Sequence, residues 1–346
     1  MKPSDPGRLS VFWTIATLSN KACVEVSRIV VIYAVSAGRV GLGRVEYQST
    51  LNTPVICAGI GVHSGERARM VIKPAPVNTG IRFRRVDLNS ENDILARGDH
   101  VTEVQLGTTL TNEEGASVAT VEHFLAACAG MGLDNLLVEI DGPETPIMDG
   151  SSAVFCELFH NAGLQEQTAL RRRIRILDTV EVRDGVKWAR LSPSQDNVLM
   201  LKAKIEFETK AIGTQQMSMR LMPGLFARDI AFARTFGFAH DVETLKAMGL
   251  ARGGSLDNAV VIDGDEVVNP EGLRSDDEFI RHKLLDAVGD LMLAGAPIAG
   301  IYEARQPGHA MNNKLVRALL EQPEAWCWET DADLVEPTAT MEVASA

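Results

Sequence analysis

The chain has 346 residues, 45% hydrophobic and 23% charged, with a formal net charge of −12 at pH 7. This is enough apolar mass for one large or two medium domains. The acidic balance argues against general nucleic-acid binding, which needs a basic footprint. The five cysteines (Cys23, Cys57, Cys128, Cys156 and Cys327) are widely spaced and form no C-x-x-C. Neither a disulfide framework nor a cysteine-rich zinc site is expected, and the pattern fits a reducing compartment.

Residues 1–44 read differently from the rest. The apolar core of "SRIVVIYAVSAG" is about nine residues long, whereas a spanning helix needs roughly 20. Glu25 and Arg28 precede it closely and no good cleavage signal follows, so neither an anchor nor a secretory signal is expected. The segment is read as a disordered extension, or as sequence upstream of a true start near Val45.

From Glu46 the pattern is strand-like, then turn-rich, through "VICAGIGVHSGERARMVIKPA", with a second strand at "GIRFRRVDL". In "SVATVEHFLAACAGMG", Val118, Val121, Leu125 and Cys128 recur at helical spacing, and Gly130 is the expected stop. "NLLVEIDGPE" reads as a buried strand. "DGSSAVFCELFHNAGL" reads as a helix opened by Asp149 or Ser151 and closed by Gly163. The basic seam "EQTALRRRIR" at 166–175 suggests a domain boundary near 170.

Strands resume in "RIRILDTVEVRDGVKWARLSP" and "NVLMLKAKIEFE". A helix at "DVETLKAMGL" and a strand pair around "NAVVIDGDEVV" follow. The long helix is predicted over 276–294, with Asp276, Asp277 and Glu278 at its positive end and Gly295 at its stop. Each half thus runs from strands to helices. That predicts α+β layers over residues 45–170 and 171–340.

The long helix contains "RHKLLDAVGD". At about 100° per residue, His282, Asp286 and Asp290 fall at roughly 0°, 40° and 80°, with Lys283 near 100°, while Ile280, Leu284, Leu285, Val288, Leu291 and Met292 fill the other side. A single His-x-x-x-acid pair is what chance supplies from seven His and 46 acidic residues. From this helix alone a solvated polar face is the simpler reading. The alternative is that His and Asp at i, i+4 share a cation. A catalytic zinc needs three N/O/S ligands and one open position, so a third ligand would come from elsewhere. His63, His100, His123, His160, His240 and His309 are the candidates. His123 sits on an apolar helix, where a core histidine is the plainer reading, but Glu122 beside it offers a base for a water. His309 follows Pro-Gly in "RQPGHAMNNK" and reads either as a surface histidine or as an acid.

Six stretches, taken in order, carry a resemblance: "TVEHFLAACAGMGLDN", "IMDGS", "ARTFGF", "GGSLDNAVV", "RHKLLDAVGDL" and "GHAMNNKL". From about Glu46 to about residue 335 the chain resembles the UDP-3-O-acyl-N-acetylglucosamine deacetylases, zinc enzymes of lipid A biosynthesis. The resemblance implies two similar domains, each a β-sheet layer packed with helices, in a β-α-α-β sandwich with the active site between them. It implies His123, His282 and Asp286 as ligands of zinc, with ferrous iron as the alternative metal. Glu122 would be the general base, His309 the catalytic histidine and Asp290 the carboxylate that holds it. Thr235 would help polarise the substrate carbonyl. Lys283 and His63 would lie near the diphosphate, and Phe236 would pack on the substrate. An acylated UDP-glucosamine substrate, a cytoplasmic monomer and at most peripheral membrane contact follow from the same resemblance. An apolar groove for the acyl chain is expected along "DVETLKAMGLARGGSL" (241–256), with Leu245, Met248, Leu250 and Leu256 as its wall. The competing readings are a zinc amidohydrolase of another substrate class and a non-catalytic nucleotide-sugar binding protein.

Overall fold

The computed structural model describes residues 45–334. The reading of residues 1–44 lies outside them, as do residues 335–340 of the expected second domain. In the first half, alternating apolar residues build a five-stranded sheet in the order Val55–Ile60, Arg67–Pro74, Leu136–Ile140, Ile81–Arg85, Asp93–Leu95. Met70 and Ile72 of its second strand are buried while Arg67 and Arg69 are exposed, the period of two that a one-sided strand requires. The central strand Leu136–Ile140 runs antiparallel to one neighbour (Met70 opposite Ile140) and parallel to the other (Ile81 opposite Leu136). Strand Tyr47–Leu51 pairs antiparallel with Leu164–Leu170 and so joins the two ends of this half.

The second half builds a seven-stranded sheet around Ile298–Arg305. That strand runs parallel to Leu199–Glu206 and Arg173–Ile176 and antiparallel to Lys187–Ser192. Among the described residues, every sheet draws all its strands from one side of residue 171. The basic seam holds the end of one strand, a break at Arg171–Arg172 and the start of the next. At the break, Arg171 donates to Asp134 over 2.9 Å and Arg172 stacks on Trp328.

Six α-helices complete the α+β fold: α1 (Glu122–Met131), α2 (Ala153–Ala162), α3 (Pro223–Asp229), α4 (Ala239–Ala247), α5 (Glu278–Met292) and α6 (His309–Leu320). Helix α1 packs on the first sheet through an edge-on contact of Phe124 with Phe83, and α2 packs on α1 through edge-on contacts of Phe155 and Phe159 with the same Phe124. Helix α5 packs against strands Leu199–Glu206 and Thr214–Arg220 of the second sheet, against α6, and most extensively against α1. The two helices are thus the inner layers of the sandwich.

Two expectations are corrected. Helix α1 runs past Gly130 and stops at Gly132, which adopts φ 78° and lets Gly132 and Leu133 donate back to Ala129 and Cys128. Gly130 lies inside the helix because Phe226 of α3 occupies the space a Cβ would need, 2.1 Å from it. The polar edge of α5 is not solvated. His282, Asp286 and Asp290 are buried, because α1 covers the side that amphipathic spacing assigns to water.

Among the described residues no helix is long and apolar enough to cross a membrane. The α1–α5 contact closes onto backbone: a Cβ on Gly289 would stand 2.0 Å from the Glu122 carbonyl oxygen. Gly289→Ala should therefore force the helices apart and cost about 2 kcal/mol or more, measured as a lowered urea midpoint. A midpoint equal to the parent would show that the contact is looser than drawn.

Candidate metal centre and active site

Helix α1 begins under tension. Thr120, two residues before it, holds the left-handed φ of 57°, a conformation that costs a non-glycine residue free energy and persists only when its surroundings enforce it. Here the Thr120 hydroxyl donates to Glu144 over 2.7 Å, and its carbonyl accepts from the Thr145 hydroxyl over 2.5 Å. The turn leaves Glu122 and His123 as the first two helical residues, facing α5. Ser152 donates to the His123 carbonyl over 2.7 Å and fixes this end of α1 to the start of α2.

His123, His282 and Asp286 meet there, with one ligand atom of each within 4.8 Å of the others. Asp286 Oδ1 lies 3.3 Å from His282 Nε2 and 3.6 Å from His123 Nε2, yet it is buried without a hydrogen-bond partner. An orphaned buried carboxylate oxygen is costly. Two imidazole nitrogens and one carboxylate around it make a donor set that fits a divalent cation with an open position. His282 is prepared for that role. Its Nδ1 sits 3.0 Å from the Ala233 carbonyl, which can only accept, so the proton is on Nδ1 and the Nε2 lone pair faces Asp286. Burial, only partly opposed by the Asp286 charge, pushes its pKa down to about 3. The ring is therefore neutral, as a ligand must be. Asp286 stays ionised despite the cost of burial, because the positive charges beside it, the Lys283 ammonium and the His309 ring, help hold it well below the usual carboxylate range.

Beside this cluster stand Glu122 and His309. Their nearest atoms, Oε1 and Nε2, are 3.8 Å apart, and His309 Nε2 lies 4.0 Å from Asp286 Oδ2. Burial raises the Glu122 pKa against the pull of His309 and His123. One of its oxygens, Oε2, accepts the Thr108 amide over 2.9 Å. His309 is the first residue of α6, and its Nδ1 lies 2.9 Å from Asp290 Oδ2. Burial alone would lower its pKa. The Asp290 and Glu122 carboxylates outweigh burial and push it up to about 10. The result is a buried base and a buried cation side by side, next to a vacant-sided carboxylate.

The family described as UDP-3-O-acyl N-acetylglycosamine deacetylase matches this chain over residues 48–321. The chain belongs to that family. A UDP-3-O-acyl-N-acetylglucosamine deacetylase of Phenylobacterium zucineum (strain HLK1) is 49% identical over 292 residues, covering 84% of this chain and 99% of the relative. Proteins of the same name from Shewanella woodyi (strain ATCC 51908 / MS32) and Idiomarina loihiensis (strain ATCC BAA-735 / DSM 15497 / L2-TR) are each 48% identical. They cover 81% of this chain, and 92% and 91% of their own lengths respectively.

In this member of the deacetylase family the cluster opens into a cavity of about 750 Å³ between the two halves. Of the residues singled out from sequence, His63, Glu122, His123, Thr235, Phe236, His282, Lys283, Asp286 and His309 line it, and Asp290 stands behind His309. Thr235 is held by its backbone, which donates to Gly150 and accepts from Val260, each over 2.8 Å. Lys283 Nζ is 2.9 Å from Asp286 Oδ2 and 5.3 Å over the Phe236 ring. His63 Nε2 lies 3.1 Å from the carbonyl of Leu106, which also lines the cavity. Leu245 and Leu256 line an apolar arm together with Phe238, Val242 and Val261. Met248 and Leu250 are not part of its wall. Met248 is 57% exposed at the end of α4, a helix with no buried residue.

Sequence reasoning missed the groups that hold Asp290. Thr108 donates to its Oδ1 over 2.7 Å, and Asn312 donates to its Oδ2 over 2.8 Å. Tyr302 donates in turn to Asn312 over 2.7 Å. Asn312 lies one turn after His309 on α6, so its i, i+3 spacing was a usable sign. Thr108 is distant in sequence and carried none. Lys187, on the hairpin that reaches the cavity beside His309, was also passed over.

The Asp290 charge is a main cause of the raised His309 pKa, so Asp290→Asn should shift the His309 ring titration to lower pH by a unit or more. NMR of the ring carbons in metal-free protein reads this directly. An unmoved titration would mean that Glu122 alone sustains the cation.

Proposed function

We propose that this chain hydrolyses the N-acetyl group of UDP-3-O-(3-hydroxyacyl)-N-acetylglucosamine and releases acetate, a step of lipid A biosynthesis. One observation carries the reading: Glu122 and His309 flank the orphaned His123–His282–Asp286 cluster inside a cavity with an apolar arm. Zinc is the proposed metal, held by His123, His282 and Asp286. Ferrous iron suits the same two-histidine, one-carboxylate set. Bound there, the ion would lower the pKa of a water at its open position and polarise the amide carbonyl.

The protein's own groups have separable tasks. Glu122 takes a proton from the attacking water through Oε1, the oxygen that Thr108 leaves free. The His309 cation, kept charged by Asp290, faces the negative charge that develops on the carbonyl oxygen, with Thr235 as a further donor. Glu122 and His309 both stand where a proton can be returned to the departing amine. Phe236 packs on the substrate, and Lys283 and His63 meet its diphosphate. The Leu245–Leu256 arm takes the acyl chain. A local cation at Lys283 reconciles an anionic substrate with a net charge of −12.

The same reading makes residues 45–170 and 171–340 two domains, supported by sheets that, among the described residues, never cross residue 171. The protein is read as a cytoplasmic monomer, the compartment being supported by the free thiols of Cys57, Cys128, Cys156 and Cys327. A zinc amidohydrolase acting on a small amide is the second reading. It has no use for the apolar arm.

Metal content and acetate release from the acylated UDP-sugar, with and without chelator, test the central claim. Full activity after complete metal removal would sink it. Glu122→Gln and His309→Ala should each lower kcat by about 10²–10⁴-fold while metal content stays stoichiometric. The rate should rise with pH as Glu122 loses its proton and fall as His309 loses its own, at or below pH 10. Removing the Glu122 carboxyl should erase the acid limb. Leu245→Asp should impair long-acyl substrates more than short ones, whereas Met248→Asp should not, and equal losses for both chain lengths would place the acyl chain elsewhere.

A further inference from the structure

One turn before His282, helix α5 carries a third carboxylate, one that the catalytic scheme does not use. Glu278 is fully buried, and its counter-ion Arg234 is 2% exposed. Arg234 Nε donates to Glu278 Oε1 over 2.9 Å and its Nη2 reaches Oε2 over 3.2 Å. The same guanidinium donates to Glu271 and to the Gly272 carbonyl, and the Arg274 amide donates to Glu278 Oε2 over 2.6 Å. Nothing in this knot is free to turn.

Its connection to the metal centre is a single peptide. The Arg234 amide donates to Glu278 Oε1 over 3.0 Å. The carbonyl of that same peptide belongs to Ala233 and accepts from His282 Nδ1, also over 3.0 Å. A trans peptide directs its N–H and C=O to opposite sides of one rigid plane, and residues four apart on a helix share a face. Glu278 and His282 therefore grip the two poles of one dipole. A carboxylate on the N–H pole polarises the peptide and makes its carbonyl a stronger acceptor. That favours the His282 tautomer with its proton on Nδ1 and its Nε2 lone pair toward Asp286.

We propose that Glu278 is a positioning residue for His282, acting through the Ala233–Arg234 peptide to fix the ring's tautomer and orientation. The inference rests on the reading of His282 as a metal ligand. It predicts that metal affinity is set partly by a carboxylate that never touches the metal, in the way that partners of ligating histidines usually act.

The test compares full-length variants in which no buried charge is left alone. Glu278→Leu with Arg234→Met replaces the ion pair by apolar groups, an exchange buried pairs often tolerate. Glu278→Gln with Arg234→Met restores an acceptor oxygen in the same background. Ring ¹⁵N spectra of metal-free protein read the His282 tautomer, and zinc titration against a competing chelator reads affinity. The parent should show the Nδ1–H form alone. The leucine variant should show mixed tautomers and a zinc Kd raised about tenfold, and the glutamine variant should move both back toward the parent. A leucine variant with parental tautomer or with a Kd within twofold of the parent overturns the proposal, as does a glutamine variant no better than the leucine one. His282→Ala with unchanged zinc affinity would instead remove the metal reading, leaving the tautomer measurement to stand by itself.

Discussion

The site depends on how closely two helices approach. Glu122 and His123 come from α1 and the remaining ligand candidates from α5, so the interhelical distance sets every separation at the centre. That distance is fixed at Gly289, whose missing side chain lets α5 touch the Glu122 carbonyl. A side chain there would act on the base, on one histidine and on the gap between the imidazoles together. The left-handed Thr120 turn supplies the matching constraint along the chain, by deciding where α1 begins.

Within that frame the electrostatics are arranged in layers. Three carboxylates, Glu122, Asp286 and Asp290, are buried within a few residues' reach, and each has a different partner set. Asp290 is saturated by Thr108, Asn312 and His309, and so acts as a fixed negative charge. Asp286 has one oxygen on Lys283 and one left without a partner. Glu122 holds one amide and keeps its other oxygen near His309. Three carboxylates thus meet three different surroundings, and on the proposed function these make one a charge that tunes, one a charge that binds and one a charge that accepts protons.

Much of this was legible in the sequence, and the failures share a cause. Periodicity located the strands Arg67–Pro74, Ile81–Arg85 and Leu136–Ile140 and the helices α1, α2 and α5, because each buries a regular apolar face. It misjudged Gly130, since whether a glycine ends a helix or admits a neighbour depends on Phe226, almost a hundred residues away. Amphipathic logic assigned the polar edge of α5 to water for the same reason: it cannot see a second helix. Met248 and Leu250 were expected on the groove because they are apolar, but they come after the last residue of α4, where Met248 is exposed, and apolarity alone says little about direction. Thr235 and Phe236 were singled out by resemblance alone, His63 and His309 were candidates that the resemblance gave a role, and the fold brings all four to one cavity. Thr108 and the Glu278–Arg234 knot had no local sign at all.

The distribution of the cluster over the two halves has a thermodynamic consequence. His123 belongs to the segment whose strands lie before residue 171, while His282 and Asp286 belong to the other. Neither half alone can assemble the three donors. Any cation they bind together is therefore a clasp between the halves, and its binding free energy adds to the cohesion of the folded chain in proportion to the logarithm of its concentration. A protein built this way couples the integrity of its interior to the metal supply around it.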